Sequence, residues 1–454
     1  MTALRASVVL ALAAAATLLA LVPAASAARG SAGLGDPYFP KAGNGGYDVR
    51  SYAVDIDYAP ATNELDARAV IRARALRSLS SFHLDLRGLE VERVKVDGRR
   101  AALRRRGQEL ILRPRRPARG RFRVDVLYSG APEPLTDESG ADYGWVDTSD
   151  GAVVVSEPEG TSSWLPSNDY PTDKARWLLR ITVPDSHAAI ANGLLLAQRD
   201  ERPDTTWVWR ERDRTATYLA TVAVGVLTVD DSQVAGMPSW IAVDPLAAAA
   251  DLSAMGEIHD FLAATFGPYP FDSTGAIADF VPTLGYALET QTRPVYSLPP
   301  GETTVVHEIA HQWYGNSVTL SSWPDIWLNE GFATYSEWLW TEDQGGETAE
   351  QQFDDLYATP ASDDDFWNPP PGDPGGPENL FDSTIYERGA MTLHALRKRV
   401  GDADFFRVLR RWAARYRYSN AATPDLIRLA ERTSGKELDG LFRRWLYRPG
   451  KPAA

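Results

Sequence analysis

Two histidines four residues apart constrain this chain more than any other feature. They stand in His307-Glu308-Ile309-Ala310-His311, inside the apolar run Val305–Tyr314, and the whole chain of 454 residues holds only six histidines. On a helix, positions i and i+4 share one face, so both imidazoles can reach one ion. Zinc, at about 2.0–2.1 Å from a histidine nitrogen, is the usual guest of that spacing. Glu308 is rotated off the ligand line, where it can take a proton from a metal-bound water instead of binding the metal. Glu330 follows nineteen residues after His311, in Trp327-Leu328-Asn329-Glu330-Gly331-Phe332-Ala333, and is expected to supply a third, carboxylate ligand from a second helix. Three protein ligands leave a fourth position open, the catalytic rather than the structural arrangement. The alternative, a surface helix with two histidines and no metal, fits the apolar surroundings poorly. Burying two histidines and a glutamate there is costly unless something satisfies them.

The rest of the chain falls into stretches of different character. Arg5 is the only charge in the first 27 residues, an apolar run extends from Val8 to Val22, and Ala25-Ser26-Ala27 has the small residues of a cleavage site. Residues 1–27 therefore read as a secretory signal peptide cut after Ala27, and the expected location is extracellular, with no membrane association after cleavage. The apolar run is short for a membrane span. The chain has no cysteine, which excludes disulfides and a lipidated cysteine, so the core must hold without staples. The formal net charge is −14, and an acidic balance speaks against nucleic acid as a partner.

Residues 28–46 are Gly- and Ala-rich and are expected to form a flexible leader. From Tyr47 the pattern alternates with period two, as in Arg50–Tyr58, Ala69–Ala73, Phe82–Leu86 and Arg121–Tyr128. Many short strands at this spacing predict an all-β, sandwich-like domain over 47–230. Arg99 to Arg123 is locally basic, with Arg104-Arg105-Arg106 at its centre. A solvated edge strand and hairpin accounts for it better than a bound polyanion. After residue 230 the pattern turns helical, and 231–454 is expected to form a mostly α domain. Predicted helices run from Leu252 to Phe266, from just after Pro299-Pro300-Gly301, from about Asn329 to Trp340, and over Tyr386–Val400, Asp404–Tyr416 and Leu438–Leu446. Thr423-Pro424-Asp425 looks like a helix start. A strand is expected near Ala276–Val281. Residues 359–379 are rich in Pro, Gly and Asp and read as a long loop or lid.

At this point the chain resembles a known family, the gluzincin zinc aminopeptidases that include aminopeptidase N and the bifunctional leukotriene hydrolase–aminopeptidase. The resemblance rests on HExxH-x18-E, on the surrounding WLNEGFA and on the preceding β-rich region. It implies an N-terminal β saddle followed by a thermolysin-like zinc metallopeptidase domain, with one zinc ion held by His307, His311 and Glu330. That family carries a GAMEN-like segment whose Glu grips the substrate's free amine. Here Tyr286-Ala287-Leu288-Glu289-Thr290 matches it at Ala287 and Glu289. A carboxylate facing an ammonium group in a partly dry pocket gives a charge-assisted hydrogen bond. The family's second amine-binding residue lies nine residues before a proline. Glu157 holds that place before Pro166, with Glu159 a poorer substitute. A family tyrosine that stabilises the oxyanion corresponds to Tyr386, in Tyr386-Glu387-Arg388-Gly389-Ala390, and a neutral phenol aimed at developing negative charge is the oxyanion-hole device. His83, His187, His259 and His394 match no motif.

The resemblance thus implies removal of N-terminal residues from peptides or protein N-termini, with Glu308 and Tyr386 catalytic and Glu289, Glu157 and Ala287 binding substrate. Two rivals remain: a thermolysin-like endopeptidase, which needs no amine-binding pair, and a non-catalytic peptide-binding protein on the same scaffold. Many relatives continue with a further domain past the equivalent of Ala454. A more open site, partly covered by 359–379, is the expectation that follows.

Overall fold

The structure, a computed structural model, describes residues 27–137 and 140–453. The predicted signal peptide lies almost wholly outside them. The N-terminal half is built on an eight-stranded sheet. Its order is Leu194–Glu201, Asp204–Thr215, Ala175–Pro184, Tyr47–Ala59, Glu64–Ala75, Arg121–Gly130, Glu90–Val96 and Arg99–Arg100. Tyr47–Ala59 pairs in parallel with Ala175–Pro184 and antiparallel with Glu64–Ala75. Its period-two pattern buries Tyr52, Val54, Ile56 and Tyr58 on one face, as a half-covered strand requires. A four-stranded and a five-stranded sheet complete this half. The arginines from Arg99 to Arg123 are all exposed, on the edge strand Arg99–Arg100, the hairpin Ala102–Arg106/Glu109–Arg113, the loop after it and the start of the strand Arg121–Gly130.

Two expectations need correcting. Residues 28–46 do not form a loose leader: Ala28–Arg29 adds a strand beside Leu79–Asp85, and Asp36 is buried among hydrogen bonds to both halves of the molecule. The signal missed was Asp36 with Tyr38 and Phe39, anchors amid glycines. The boundary at 230/231 falls inside a strand, Thr228–Val234, which pairs with Met237–Val243. Met237–Val243 in turn lies parallel to Thr274–Ala278, so this hairpin belongs to a five-stranded sheet of the C-terminal half.

Among the described residues the helices of that half are α1 (Met255–Phe266), α2 (Glu302–Ala310), α3 (Trp327–Asp343), α4 (Ala349–Tyr357), α5 (Asp364–Trp367), α6 (Ser383–Val400), α7 (Asp402–Arg415), α8 (Thr423–Ser434) and α9 (Asp439–Leu446). Thr423 opens α8 but does not cap it. Its hydroxyl bridges Asp325 and the Trp327 indole. Nor does Asn329 cap α3, which starts two residues earlier. Residues 359–379 contain α5 and are pinned by the buried Trp367, whose carbonyl accepts from Arg388 of α6.

The halves are not separate bodies. Trp240, Ile277, Leu288 and Val295 of the C-terminal sheet, with Leu284 from the turn between its strands, pack into the apolar core of the β half. A second core gathers the helices. The site described next lies on the seam between these cores.

Candidate active site

Helix α2 starts after Gly301 in extended conformation and buries Val305, Val306, Ile309 and Ala310. That apolar stripe sets His307 and His311 on the remaining face, one turn apart, with ring centroids 4.7 Å from each other. Helix α3 presents Glu330 opposite them. Glu330 Oε2 lies 3.2 Å from His307 Nε2 and 3.4 Å from His311 Nε2. One nitrogen from each ring and one carboxylate oxygen lie within 4.8 Å of one another. The other ring nitrogens are engaged. His307 Nδ1 meets Glu337 Oε1 at 2.7 Å, and His311 Nδ1 meets the Tyr314 carbonyl at 3.0 Å. Both imidazoles are thereby oriented with Nε2 inward, the outer-sphere arrangement that fixes a metal-binding histidine. The donor set fits zinc by its chemistry: two imidazoles and one carboxylate, converging from rigid helices.

Two close approaches make this geometry possible. Gly315 has φ +130°, and a Cβ there would sit 3.1 Å from His311 Nδ1. Gly331 and Gly389 let α3 and α6 touch backbone to backbone. A Cβ on Gly331 would lie 2.9 Å from the Cα of Gly389. This contact stands next to Glu330 and three residues after Tyr386, so it brings the phenol to the histidines. The Tyr386 ring stacks on that of His307 at 5.9 Å. Burial and the surrounding carboxylates, Glu330 foremost, hold its hydroxyl well above the usual phenol range, hence neutral.

Glu308 is buried beside the histidines. Burial pushes its carboxyl up to about 8, against the pull of His307 and His311. Glu289 follows the short strand Ala287–Leu288 at the seam, and Glu157 follows Ala152–Val155 of the β half. Both carboxylates are buried, 2 % and 8 % exposed. Oxygens of Glu157, Glu289 and Glu330 lie within 4.8 Å of one another, and Oε1 of both Glu157 and Glu289 lacks a hydrogen-bond partner. Burial, then the neighbouring Glu289, Glu330 and Glu308, raises the Glu157 carboxyl well above its usual range. Carboxylates this crowded call for a cation between them. Glu159 is turned away, paired with Arg87 at 2.7 Å.

These groups open into a cavity of ≈ 740 Å³ lined by His307, Glu308, His311, Glu330, Tyr386, Glu289, Glu157 and Ala287, but not by Glu159. Tyr286 lines it too and donates to the Asp142 carbonyl at 2.8 Å, whereas Leu288 spends most of its surface in the core. Sequence reasoning missed Glu337, Phe39 and the glycine pair. Glu337 could have been found, since it stands seven residues after Glu330, two turns along the same face.

Comparison with known proteins decides the family. The Peptidase M1 N-terminal domain matches residues 49–219 and the Peptidase family M1 domain matches residues 289–445. A two-domain M1 zinc metallopeptidase, solved as a mutant bound to L-arginine, superposes with TM-score 0.85 at 30 % identity, covering 93 % of this chain and 99 % of that one. The chain belongs to peptidase family M1. A second M1 zinc metallopeptidase structure, a mutant from Deinococcus radiodurans bound to a Tyr-Ser-Ala substrate, gives TM-score 0.84 at 30 % identity with the same coverages. Aminopeptidase M1-D of Oryza sativa subsp. japonica is 28 % identical over 345 residues, 67 % of this chain and 38 % of that protein. The leucyl aminopeptidase of Saccharolobus solfataricus is 25 % identical over 336 residues, with 67 % and 42 % covered. The chain thus spans well under half the length of these two curated relatives. M1 membership carries a single catalytic zinc, and the β-rich half followed by a helical half is the architecture of the family's two-domain structures.

Proposed function

We propose that this protein is a secreted zinc aminopeptidase that removes N-terminal residues from peptides. The observation that carries the reading is the buried pair Glu157 and Glu289, with an unpartnered oxygen on each, beside the zinc-binding set of His307, His311 and Glu330. An α-ammonium group is the cation of peptide substrates that such a trap fits. Secretion rests on the N-terminal sequence alone.

His307, His311 and Glu330 hold the zinc, which when bound supplies a Lewis acid and a water of lowered pKa. Glu157 and Glu289 fix the substrate amine and so set how far the chain enters. Only the first peptide bond then reaches Glu308. Glu308 takes a proton from the attacking water and passes it to the leaving nitrogen. Tyr386 donates a hydrogen bond to the carbonyl oxygen as charge grows there. Ala287, small and next to the amine carboxylates, keeps the backbone of that wall close to the substrate.

The amine role is tested by Glu289→Gln and Glu157→Gln on aminoacyl amides. The expected result is a rise in KM of about tenfold or more for each, with zinc content unchanged. Unaltered KM in both would remove the amine trap and return the reading to an endopeptidase.

A further inference from the structure

The segment Asp36–Phe39 was expected to be a loose arm, yet it enters the site itself. Asp36 is 3 % exposed and accepts five hydrogen bonds. Its Oδ1 takes the Tyr38 and Phe39 amides at 2.9 and 3.1 Å. Its Oδ2 takes the Tyr170 hydroxyl of the β half at 2.8 Å, and the Ser322 hydroxyl and Trp323 amide at 3.0 Å each. Ser322 and Trp323 lead into α3, the helix of Glu330. Phe39 packs edge-on against Trp323 at 5.9 Å, Trp323 against Tyr218 at 5.4 Å, and the Tyr218 hydroxyl accepts from Asn329, the neighbour of Glu330. Tyr38 reaches the other way. Its hydroxyl donates to Asp373 at 3.2 Å and accepts from the Gly375 amide at 2.9 Å. The chain then runs through Pro377, Glu378 and Phe381, which line the cavity, into α6 and Tyr386. Phe39 lines the same cavity.

Resting on the aminopeptidase reading, we propose that Phe39 is a specificity-determining residue for the side chain of the substrate's first residue, selecting large apolar side chains. Asp36 and Tyr38 are its positioning residues, holding Phe39 and the 377–382 wall in one arrangement. With the amine at Glu157 and Glu289 and the scissile carbonyl at Tyr386, the first side chain branches between them. Phe39 and residues within 377–382 line the cavity that these groups share with Tyr386, and so offer a wall to that side chain. A half-buried phenyl packed on Trp323 joins Leu380 and Phe381 in giving that pocket an apolar side, in a cavity that also holds the carboxylates of Glu157, Glu289, Glu308 and Glu330.

The test is kcat/KM for the aminoacyl amides of Ala, Leu and Phe with the full chain and its Phe39→Ala, Phe39→Leu and Tyr38→Phe variants. Phe39→Ala is expected to cut the Leu and Phe substrates about tenfold relative to Ala, since pocket contacts of this size discriminate by one to two orders of magnitude, with the loss mainly in KM. Phe39→Leu should recover much of that ratio. Tyr38→Phe should shift it in the same direction by less. Should Phe39→Ala not fold, Phe39→Trp replaces it, and is expected to narrow the pocket and penalise the Phe substrate relative to Ala. One common factor across all three substrates, or an unchanged ratio, would overturn the proposal. Absence of turnover by the wild type on every amide would instead overturn the aminopeptidase reading.

Discussion

The imidazole of His307 has two hydrogen-bonding faces, and the structure spends both. Nε2 turns to the metal site, and Nδ1 is held by Glu337 at 2.7 Å. Glu337→Gln is expected to weaken zinc binding about 10- to 100-fold, as loss of an outer-sphere partner does. Competition titration with a chelator measures it, and an unchanged affinity would leave Glu337 a mere neighbour. Tyr386→Phe removes the hydroxyl proposed as an oxyanion donor while keeping the ring on His307. The expected outcome is a fall in kcat of about 10²–10³-fold with KM little changed. A KM effect alone would place the phenol in ground-state binding. At this scale most of the site was legible in the sequence, because metal ligands obey helical spacing and Glu308 is one residue from a ligand. Glu157 and Glu289 were legible only through resemblance, since nothing local shows that two residues 132 positions apart meet in one cavity.

What sets the distance between the metal ligands and Tyr386 is the crossing of α3 and α6. Gly331 and Gly389 face each other there, and an added methyl on Gly331 would stand 2.9 Å from main-chain atoms of α6. Backbone cannot swing aside as a side chain can. Gly331→Ala is therefore expected to push the helices apart and lower kcat by about 10²-fold, the cost of misplacing a catalytic group by roughly 1 Å, while zinc stays bound. Wild-type kcat in that variant would show the helices free to adjust. Gly331 sits in the motif read from the sequence, but its packing role was invisible because the partner glycine comes 58 residues later. The same holds for the hairpin of Thr228–Val234 and Met237–Val243. Its first strand straddles the 230/231 boundary read from the sequence, and only the parallel pairing of Met237–Val243 with Thr274–Ala278 assigns the whole hairpin to the C-terminal half.

Across the whole molecule, acidic groups buried outside the metal-ligand set give stability a pH dependence. Burial pushes Glu211 up to about 8 and Asp173 up to about 8, and burial pushes Asp169 to about 7. An unfolded carboxyl titrates near 4. A group whose folded pKa is raised contributes stability that is fully present below the unfolded value and is lost as pH rises through the folded value. With zinc saturating, these groups are thus expected to make stability fall as pH rises from about 4 to about 8. Glu211→Gln, whose amide oxygen can still accept the Asp213 N–H bonded at 2.7 Å, should flatten that slope by up to about 1.4 kcal/mol per pH unit. Denaturant unfolding at several pH values reads the slope, and identical slopes would mean that Glu211 does not titrate in this window.

At this scale the sequence showed two unlike halves but not their join. The join is made of contacts between distant residues: Leu288 in the β core, and Asp36 bonded to both Tyr170 and Trp323. The glycine-rich stretch around Asp36 looked loose because its order comes from tertiary hydrogen bonds rather than from local pattern.

If the buried carboxylates Glu157 and Glu289 beside the zinc set measure the substrate from its free amine, acetylating that amine abolishes cleavage. A panel of fluorogenic aminoacyl amides is compared with the N-acetyl counterparts, with and without a zinc chelator and alongside Glu308→Ala. Chelator-sensitive cleavage of the free-amine set only, lost in Glu308→Ala, is expected. Equal cleavage of the acetylated set would mean that the carboxylates do not read the amine.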